Sequence, residues 1–138
     1  MNWEELQAVA KESRAARAVF DDMVASGEAF DFFGVDSNCF KLGDMVLEAI
    51  EDESDGYRSY FGCLRVPPEG KIFFPNPVDR VRVEAVLERP TAWSMPKPYP
   101  FEGWRLVAAD GHVWLYVGTD NYDDYYPGFV FEYLPRKS

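Results

Sequence analysis

Apolar residues recur three or four positions apart through the first part of the chain, a spacing that places side chains on one face of an α-helix. Asn2 with Glu5 three positions later forms a capping-box pattern, and Ser26-Gly27 ends the run. We therefore predict a helix of about 24 residues, roughly 36 Å long. Its apolar stripe comprises Leu6, Val9, Ala16, Val19, Phe20, Met23 and Val24.

Most of the remaining chain favours strands, because apolar and polar residues alternate with a period of two. Gly43-Asp44 joins two such runs, and these residue types suit the tight turn of a hairpin. From position 81 onwards, Val81, Val83, Ala85 and Leu87 are expected on one buried face. The predicted strands cover positions 38–42, 45–51, 57–66, 81–88, 104–109, 112–117 and 129–134.

Asp110-Gly111 marks the clearest hairpin, because this dipeptide is typical of a two-residue turn. Such a turn places Ala109 opposite His112, and the register continues outward from there. Trp104, Leu106 and Ala108 then pair with Val117, Leu115 and Val113, and Val107 pairs with Trp114.

Two segments are expected to lie outside the sheet. Phe30, Phe32 and Phe33 are expected in a connector after the helix, closing one end of the core. The proline-rich segment 90–101 is expected to fold against the body as a crossover, with a recognition arm as the alternative.

Together these patterns predict one α+β domain, with a long N-terminal helix packed on a mostly antiparallel sheet of about five to seven strands. Residues 1–34 would form the helix and connector, and residues 35–138 the sheet body. The alternative for the helix is a partner surface, including a homo-oligomer contact.

Charge changes this picture because it is strongly negative and unevenly spread. The formal net charge is −10, and positions 28–55 hold nine acids against one base, Lys41. Positions 110–132 hold five acids and no lysine or arginine. Such regions repel nucleic-acid phosphates, so we expect no direct nucleic-acid binding there. They suit a basic protein or a cation, or they serve solubility alone.

The sequence holds few groups for catalysis, with no glycine-rich phosphate loop, G-x-S-x-G elbow or H-E-x-x-H helix. His112 is the only histidine and is expected to flank the hairpin turn rather than act as a general base. Cys39 and Cys63 are expected to be reduced and buried. These features favour a non-enzymatic protein, with an enzyme as the open alternative.

The chain is expected to be cytoplasmic and free of the membrane. No apolar run approaches the roughly 20 residues of a membrane span, and the acidic start lacks the regions of a signal peptide.

Two acidic turns carry the candidate site, one at positions 51–58 and one at positions 118–129. Each follows a predicted strand, and we expect the sheet to bring both to one rim. The predicted partner-binding residues are Glu48, Glu51, Asp52, Glu53, Asp55, Tyr57, Asp120, Tyr122, Asp123, Asp124 and Tyr125.

Clustered carboxylates also supply the oxygen ligands that Mg²⁺ and Ca²⁺ prefer. The run Glu51-x-Glu53-x-Asp55-Gly56 matches the opening of an EF-hand loop, but its twelfth position is Gly62 instead of glutamate. We expect no cofactor. The alternative is a divalent-cation-binding protein or a metal-dependent hydrolase that uses Asp52, Asp55, Asp120, Asp123 and Asp124.

The two turns also carry a family resemblance. A D-G-Y-R-S turn at 55–59, combined with a late G-T-D-N-x-D-D-Y-Y-P turn at 118–127, resembles small bacteriophage and prophage proteins without an established activity. The resemblance spans about positions 40–133, with segments 1–34 and 90–101 as additions of this chain. It implies a phage accessory protein in a bacterial cytoplasm and assigns no catalytic residue.

The expected function is therefore to bind a basic surface of a bacterial host protein through the acidic rim. Its narrowest form is a nucleic-acid mimic that inhibits a host nuclease or defence system, such as an anti-CRISPR protein.

Overall fold

A computed structural model describes residues 3–52, 58–64, 73–89, 99–120 and 128–136. These residues confirm the α+β class and the antiparallel sheet, and the sheet has eight described strands instead of five to seven. The elements are α1 (Trp3–Ser26), β1 (Phe30–Asp36), β2 (Cys39–Leu42), β3 (Met45–Asp52), β4 (Arg58–Leu64), β5 (Asp79–Arg89), β6 (Tyr99–Ala108), β7 (Val113–Asp120) and β8 (Gly128–Tyr133).

The strands form one sheet in the order β4-β3-β2-β1-β5-β6-β7-β8, and every neighbouring pair is antiparallel. It consists of two four-strand meanders joined side by side through β1 and β5. The sheet curls, because β4 at one end of the order approaches β7 and β8 at the other.

Strand β1 corrects the prediction of a connector at Phe30 to Phe33. It pairs with β2 on one side and β5 on the other, so it lies at the centre of the sheet. Its alternation is hidden in the sequence because the pairing with β2 shifts register between Phe32 and Val35. Gly34 permits this shift through a φ of +94°. The division at position 34 therefore cuts through a strand.

The C-terminal half of α1 fills the concave face of the sheet. Ala16, Phe20 and Met23 are buried, which matches the predicted apolar stripe. The Phe20 ring stacks on Trp104 of β6, with ring centroids 4.5 Å apart, and on Phe40 of β2 at 6.1 Å. Helix and sheet thus share one core.

The predicted buried face of β5 is confirmed only in its first half. Val81 and Val83 are buried as expected, but Ala85 is exposed and Leu87 is 82% exposed. Val86 pairs in register with Gly103 and is buried, and the pairing of β5 with β6 shifts only after it, between Val86 and Glu88.

The β6–β7 hairpin is confirmed in its outer part and corrected near its turn. Trp104 pairs with Val117 and Leu106 with Leu115, as predicted. The turn, however, has three residues instead of two, since Ala108 N–H bonds to His112 O and Gly111 N–H to Ala108 O. Gly111 has a φ of +91°, the glycine conformation of such loops.

One consequence of this turn is that Val107 pairs with Val113, so Trp114 becomes the extra residue of a bulge. Its indole joins the core cluster.

A smaller apolar cluster lies apart from the main core. It contains Val86, Phe101, Tyr116 and Val130, with Val113 and Leu134 packed against it. Strand β6 begins at Tyr99, so Phe101 belongs to the sheet and not to the predicted proline-rich loop. The rest of that loop, positions 90–98, lies outside the described residues.

The alternating strand directions define two rims. One rim holds the ends of β1, β3, β6 and β8 and the starts of β2, β4, β5 and β7; we call it the Asp110 rim. The other rim holds the α1–β1 junction, the Gly43-Asp44 turn, the end of β7 and the start of β8; we call it the Asp44 rim.

Candidate functional site

The strands that precede the two acidic turns end on different rims. Strand β3 ends at Asp52 on the Asp110 rim, and β7 ends at Asp120 on the Asp44 rim. The single acidic rim expected from the sequence is therefore not what the strand order produces. The turn residues Glu53, Asp55, Tyr57, Tyr122, Asp123, Asp124 and Tyr125 lie outside the described residues.

The separation also bears on the cation alternative. Asp52 and Asp120 end strands at opposite rims. Within the described ranges, no group of three or more histidine, cysteine, aspartate or glutamate side chains is placed to hold a metal ion.

Glu48 lies within β3, away from both turns. It pairs with Cys39 of β2, whose Sγ is 3.7 Å from Glu48 Oε2. Cys39 is a buried free thiol, as predicted. Glu48 is half-buried and belongs to the sheet rather than to either rim.

Several acids on the Asp44 rim take no part in holding the fold together. Asp21 and Asp22 are exposed on the last turns of α1, Glu28 follows the helix, and Asp44 is exposed in the β2–β3 turn. Gly43 N–H bonds to Asp31 O at 2.8 Å, which places this turn beside the start of β1. In the part of the chain that the structure describes, these four side chains form no ion pair.

Other acids are used by the fold, because an arginine neutralises each of them. Glu84 accepts from Arg105 Nη2 at 2.8 Å across β5 and β6, and Glu102 accepts from Arg17 Nη1 at 3.2 Å. These contacts, with Asp31–Arg80 at 3.7 Å, connect neighbouring elements.

The densest polar cluster lies on the Asp110 rim around Arg136. Its Nη1 bonds to Asp110 Oδ2 at 2.8 Å and its Nη2 to Asp110 Oδ1 at 2.9 Å. The same Nη2 lies 2.9 Å from Asp79 Oδ2. Arg136 therefore joins the C-terminal segment to the start of β5 and to the β6–β7 turn.

Trp114 packs against this cluster and donates a hydrogen bond to it. Its indole Nε1–H donates to Asp79 Oδ2 at 2.8 Å, and the Arg136 guanidinium lies 5.6 Å from the ring centroid. Tyr133 stacks on the indole at 6.2 Å. The bulge at Trp114 is what turns this side chain toward Asp79.

His112 has a structural partner, consistent with the prediction that it flanks the turn. Its Nε2 lies 2.8 Å from Leu134 O, which requires the proton on Nε2. Its ring also meets Trp114 edge-on at 4.9 Å. Leu134 N–H bonds to Trp114 O at 2.7 Å, so the segment after β8 is held on both sides.

Arg136 determines the ionisation of both carboxyls. Its hydrogen bonds lower the pKa of Asp110 from 3.8 to about 2. Partial burial raises the pKa of Asp79, but hydrogen bonds from Arg136, Trp114 and Arg80 N–H outweigh it, so the pKa is lowered. Both side chains are therefore carboxylates at neutral pH.

Replacing Asp110 by asparagine is expected to destabilise the fold above pH 4 and to have little effect at pH 2. Because the pKa of Asp110 is lower in the folded chain, its carboxylate stabilises the fold above 3.8, and this contribution is lost as the pH falls toward 2. Urea unfolding of both proteins between pH 2 and pH 6 measures the difference. Asp44→Asn serves as a control for removing one charge. A pH-independent difference for Asp110→Asn would contradict the stabilising ion pair between Asp110 and Arg136.

The surface around this cluster is partly apolar. An open groove of about 710 Å³ is lined by His112, Leu134, Pro135 and Arg136. Tyr133 is exposed beside it, and Phe74 and Val78 are exposed in the segment leading into β5.

Sequence reasoning missed the contributions of Asp79, Trp114 and Arg136. Their contacts join positions 35 and 57 residues apart, so no local spacing in the sequence predicts them. The one signal in the sequence was an arginine after the last strand of an acidic chain.

Comparison with known proteins adds no family: no family model matches the chain, and no curated protein or solved structure gives a significant match. In the described part of the chain, no helix combines the length and the apolar character needed to cross a bilayer.

Proposed function

We propose that the chain is a non-enzymatic binding protein that docks its acidic Asp44 rim onto a basic surface of a bacterial host protein. The observation that supports this most is a set of charges that the fold does not use. Asp21, Asp22, Glu28 and Asp44 are exposed and unpaired among the described residues, whereas the acids elsewhere mostly pair with arginines.

Local electrostatics do not account for acids at this place. A helix carries partial negative charge at its C-terminus, so nearby carboxylates are unfavourable and basic residues are preferred. The last turn of α1 has no basic residue, and Glu28 follows directly after Gly27. Retaining negative charge here fits a contact with something positive better than a stabilising role.

The strand that precedes the late acidic turn ends on this rim, at Asp120, and Asp123 and Asp124 follow it in the sequence. The turn at 51–58 leaves from the opposite rim. Acids divided in this way fit a contact surface on a basic protein better than a continuous imitation of a nucleic-acid backbone, which is the narrower, anti-CRISPR-like form of the proposal.

Neutralising two rim charges is expected to weaken partner binding about tenfold, because an exposed ion pair contributes up to about 1 kcal/mol and about 1.4 kcal/mol is a factor of ten. In the experiment, the immobilised chain is used to capture proteins from a bacterial lysate at low ionic strength. The Kd of the captured protein is then measured for wild type and for Glu28→Gln/Asp44→Asn. Affinity for wild type should fall steeply as salt is added.

The matched control is Glu4→Gln/Asp36→Asn, which removes the same charge at the start of α1 and on the Asp110 rim. It is expected to change the Kd less than twofold. Equal losses in the two double variants, or capture that salt does not weaken, would contradict docking through the Asp44 rim.

A further inference from the structure

The Arg136 cluster has the geometry of a site for one particular side chain. We propose that Asp79, Asp110 and Trp114 form an arginine-binding pocket, which Arg136 of the same chain occupies and which an arginine of a partner protein can enter in its place. The pocket lies on the Asp110 rim, so the proposal goes beyond docking at the Asp44 rim.

Each wall of the pocket matches a different part of a guanidinium group. Asp110 accepts two N–H bonds through its two oxygens, at 2.8 and 2.9 Å, which is the bidentate arrangement of arginine with carboxylate. Asp79 accepts a further bond at 2.9 Å. The indole face of Trp114 lies below the cation at 5.6 Å.

Both carboxylates are also held by contacts that do not involve Arg136. Asp79 is fixed by Trp114 Nε1–H at 2.8 Å and by Arg80 N–H at 2.8 Å. Asp110 accepts from His112 N–H at 3.1 Å. A lysine ammonium is a compact point charge without the planar fork of a guanidinium, so it does not match two carboxylates and a ring face at once.

Arg136 is held in a way that allows exchange. Its side chain is 41% exposed and that of Asp110 is 60% exposed, so an incoming group reaches the carboxylates from solvent. The last backbone anchors of the segment are at Leu134, through Trp114 O and His112. Among the described residues, Pro135 and Arg136 are the two that follow these anchors.

Charge also favours a cationic occupant. Two carboxylates face one guanidinium, so the filled pocket retains a net negative charge. The tethered Arg136 competes at an effective concentration that is roughly millimolar for short flexible links. A partner's arginine therefore enters when neighbouring contacts, such as the groove beside Pro135, add to its affinity.

The test uses the full chain with Arg136→Gln, which empties the pocket, and N-acetyl-arginine amide as the probe. The readout is the NMR resonance of the Trp114 indole N–H, assigned by its loss in Trp114→Phe. We expect a saturable shift in Arg136→Gln at a probe concentration at least tenfold lower than in wild type. The corresponding lysine amide should bind at least tenfold more weakly.

Asp110→Asn in the Arg136→Gln background is the matched control and should lose the response. An equal response to the lysine probe, an unchanged response without Asp110, or no shift in a folded Arg136→Gln variant would overturn the proposal. If Arg136→Gln does not fold, Arg136→Lys replaces it. The arginine probe should then saturate the Trp114 shift at a lower concentration in Arg136→Lys than in wild type, and equal concentrations would overturn the proposal as well.

The two proposals fail separately. The probe titration needs no protein partner, so its outcome is independent of docking at the Asp44 rim. Conversely, equal losses of host-protein capture in the two double variants would contradict docking at the Asp44 rim and would leave the arginine pocket untouched.

Discussion

Replacing Gly103 by valine is expected to lower the free energy of unfolding by about 3 kcal/mol, the upper range for overpacking. A Cβ atom at this position would overlap the carbonyl oxygen of Val117 and lie 2.6 Å from Cε1 of Phe101. The Phe101 ring can turn aside, but the Val117 oxygen belongs to the backbone of the neighbouring strand. Urea unfolding of the variant and of wild type measures the loss.

Gly111→Ala is the control for this prediction. Nothing lies within 4 Å of a Cβ at Gly111, whose φ is +91°, so alanine there meets only the unfavourable left-handed backbone, which costs about 1–2 kcal/mol. The loss should therefore be clearly smaller than for Gly103→Val. Equal unfolding midpoints would show that β6 and β7 are not as close as the geometry indicates.

The close approach of β6 and β7 has a structural purpose. Gly103 and Gly118 pair directly across the two strands, and the Phe101 ring lies against both. Phe101 also meets Tyr116 edge-on at 6.3 Å. Two facing glycines make room for the ring, which covers backbone that would otherwise be open, and they allow the bend of a curled sheet.

Local patterns predicted much of the fold. Period-two alternation identified β5, β7 and β8, and the register of Trp104 with Val117 followed from the hairpin. The errors at β1 and at the β6–β7 turn lie at irregularities, namely the shifts near Phe32 and Trp114. A bulge adds one residue and reverses the faces beyond it, and its position depends on contacts that the sequence pattern does not record.

One missed strand explains the misplaced acidic rim. In an antiparallel sheet each added strand reverses the direction of the next. If β5 paired directly with β2, then β7 would end on the rim where β3 ends, and both acidic turns would meet. Strand β1 lies between them, so the turns leave from opposite rims. Whether an odd or an even number of strands separates β3 from β7 therefore decides whether the two strands end on one rim or on opposite rims.

Local patterns do not predict the pocket around Arg136. Its residues come from the start of β5, the β6–β7 turn and the segment after β8, and only the tertiary structure brings them together. Even with the correct strands, the contact of Trp114 with Asp79 would not have been predicted from the sequence, because it depends on the three-residue turn at Gly111.

Phe20→Ala is expected to lower the free energy of unfolding by about 3–5 kcal/mol, as for other buried phenylalanines. Phe20 is fully buried and lies between Trp104 of β6 and Phe40 of β2, so its ring holds α1 to both meanders of the sheet. Removing it leaves a cavity that rigid strands on both sides cannot close. Urea unfolding followed by far-ultraviolet circular dichroism measures the change.

Phe74→Ala is the matched control, because the same ring is removed from a side chain that is 56% exposed, and we expect a loss below about 1 kcal/mol there. Phe20→Leu should fall between the two, since leucine refills most of the space but cannot stack on Trp104. If Phe20→Ala were no more harmful than Phe74→Ala, α1 would not be part of the core. The acids at its C-terminal end would then have no fixed place on the Asp44 rim, and docking through that rim would lose its structural basis.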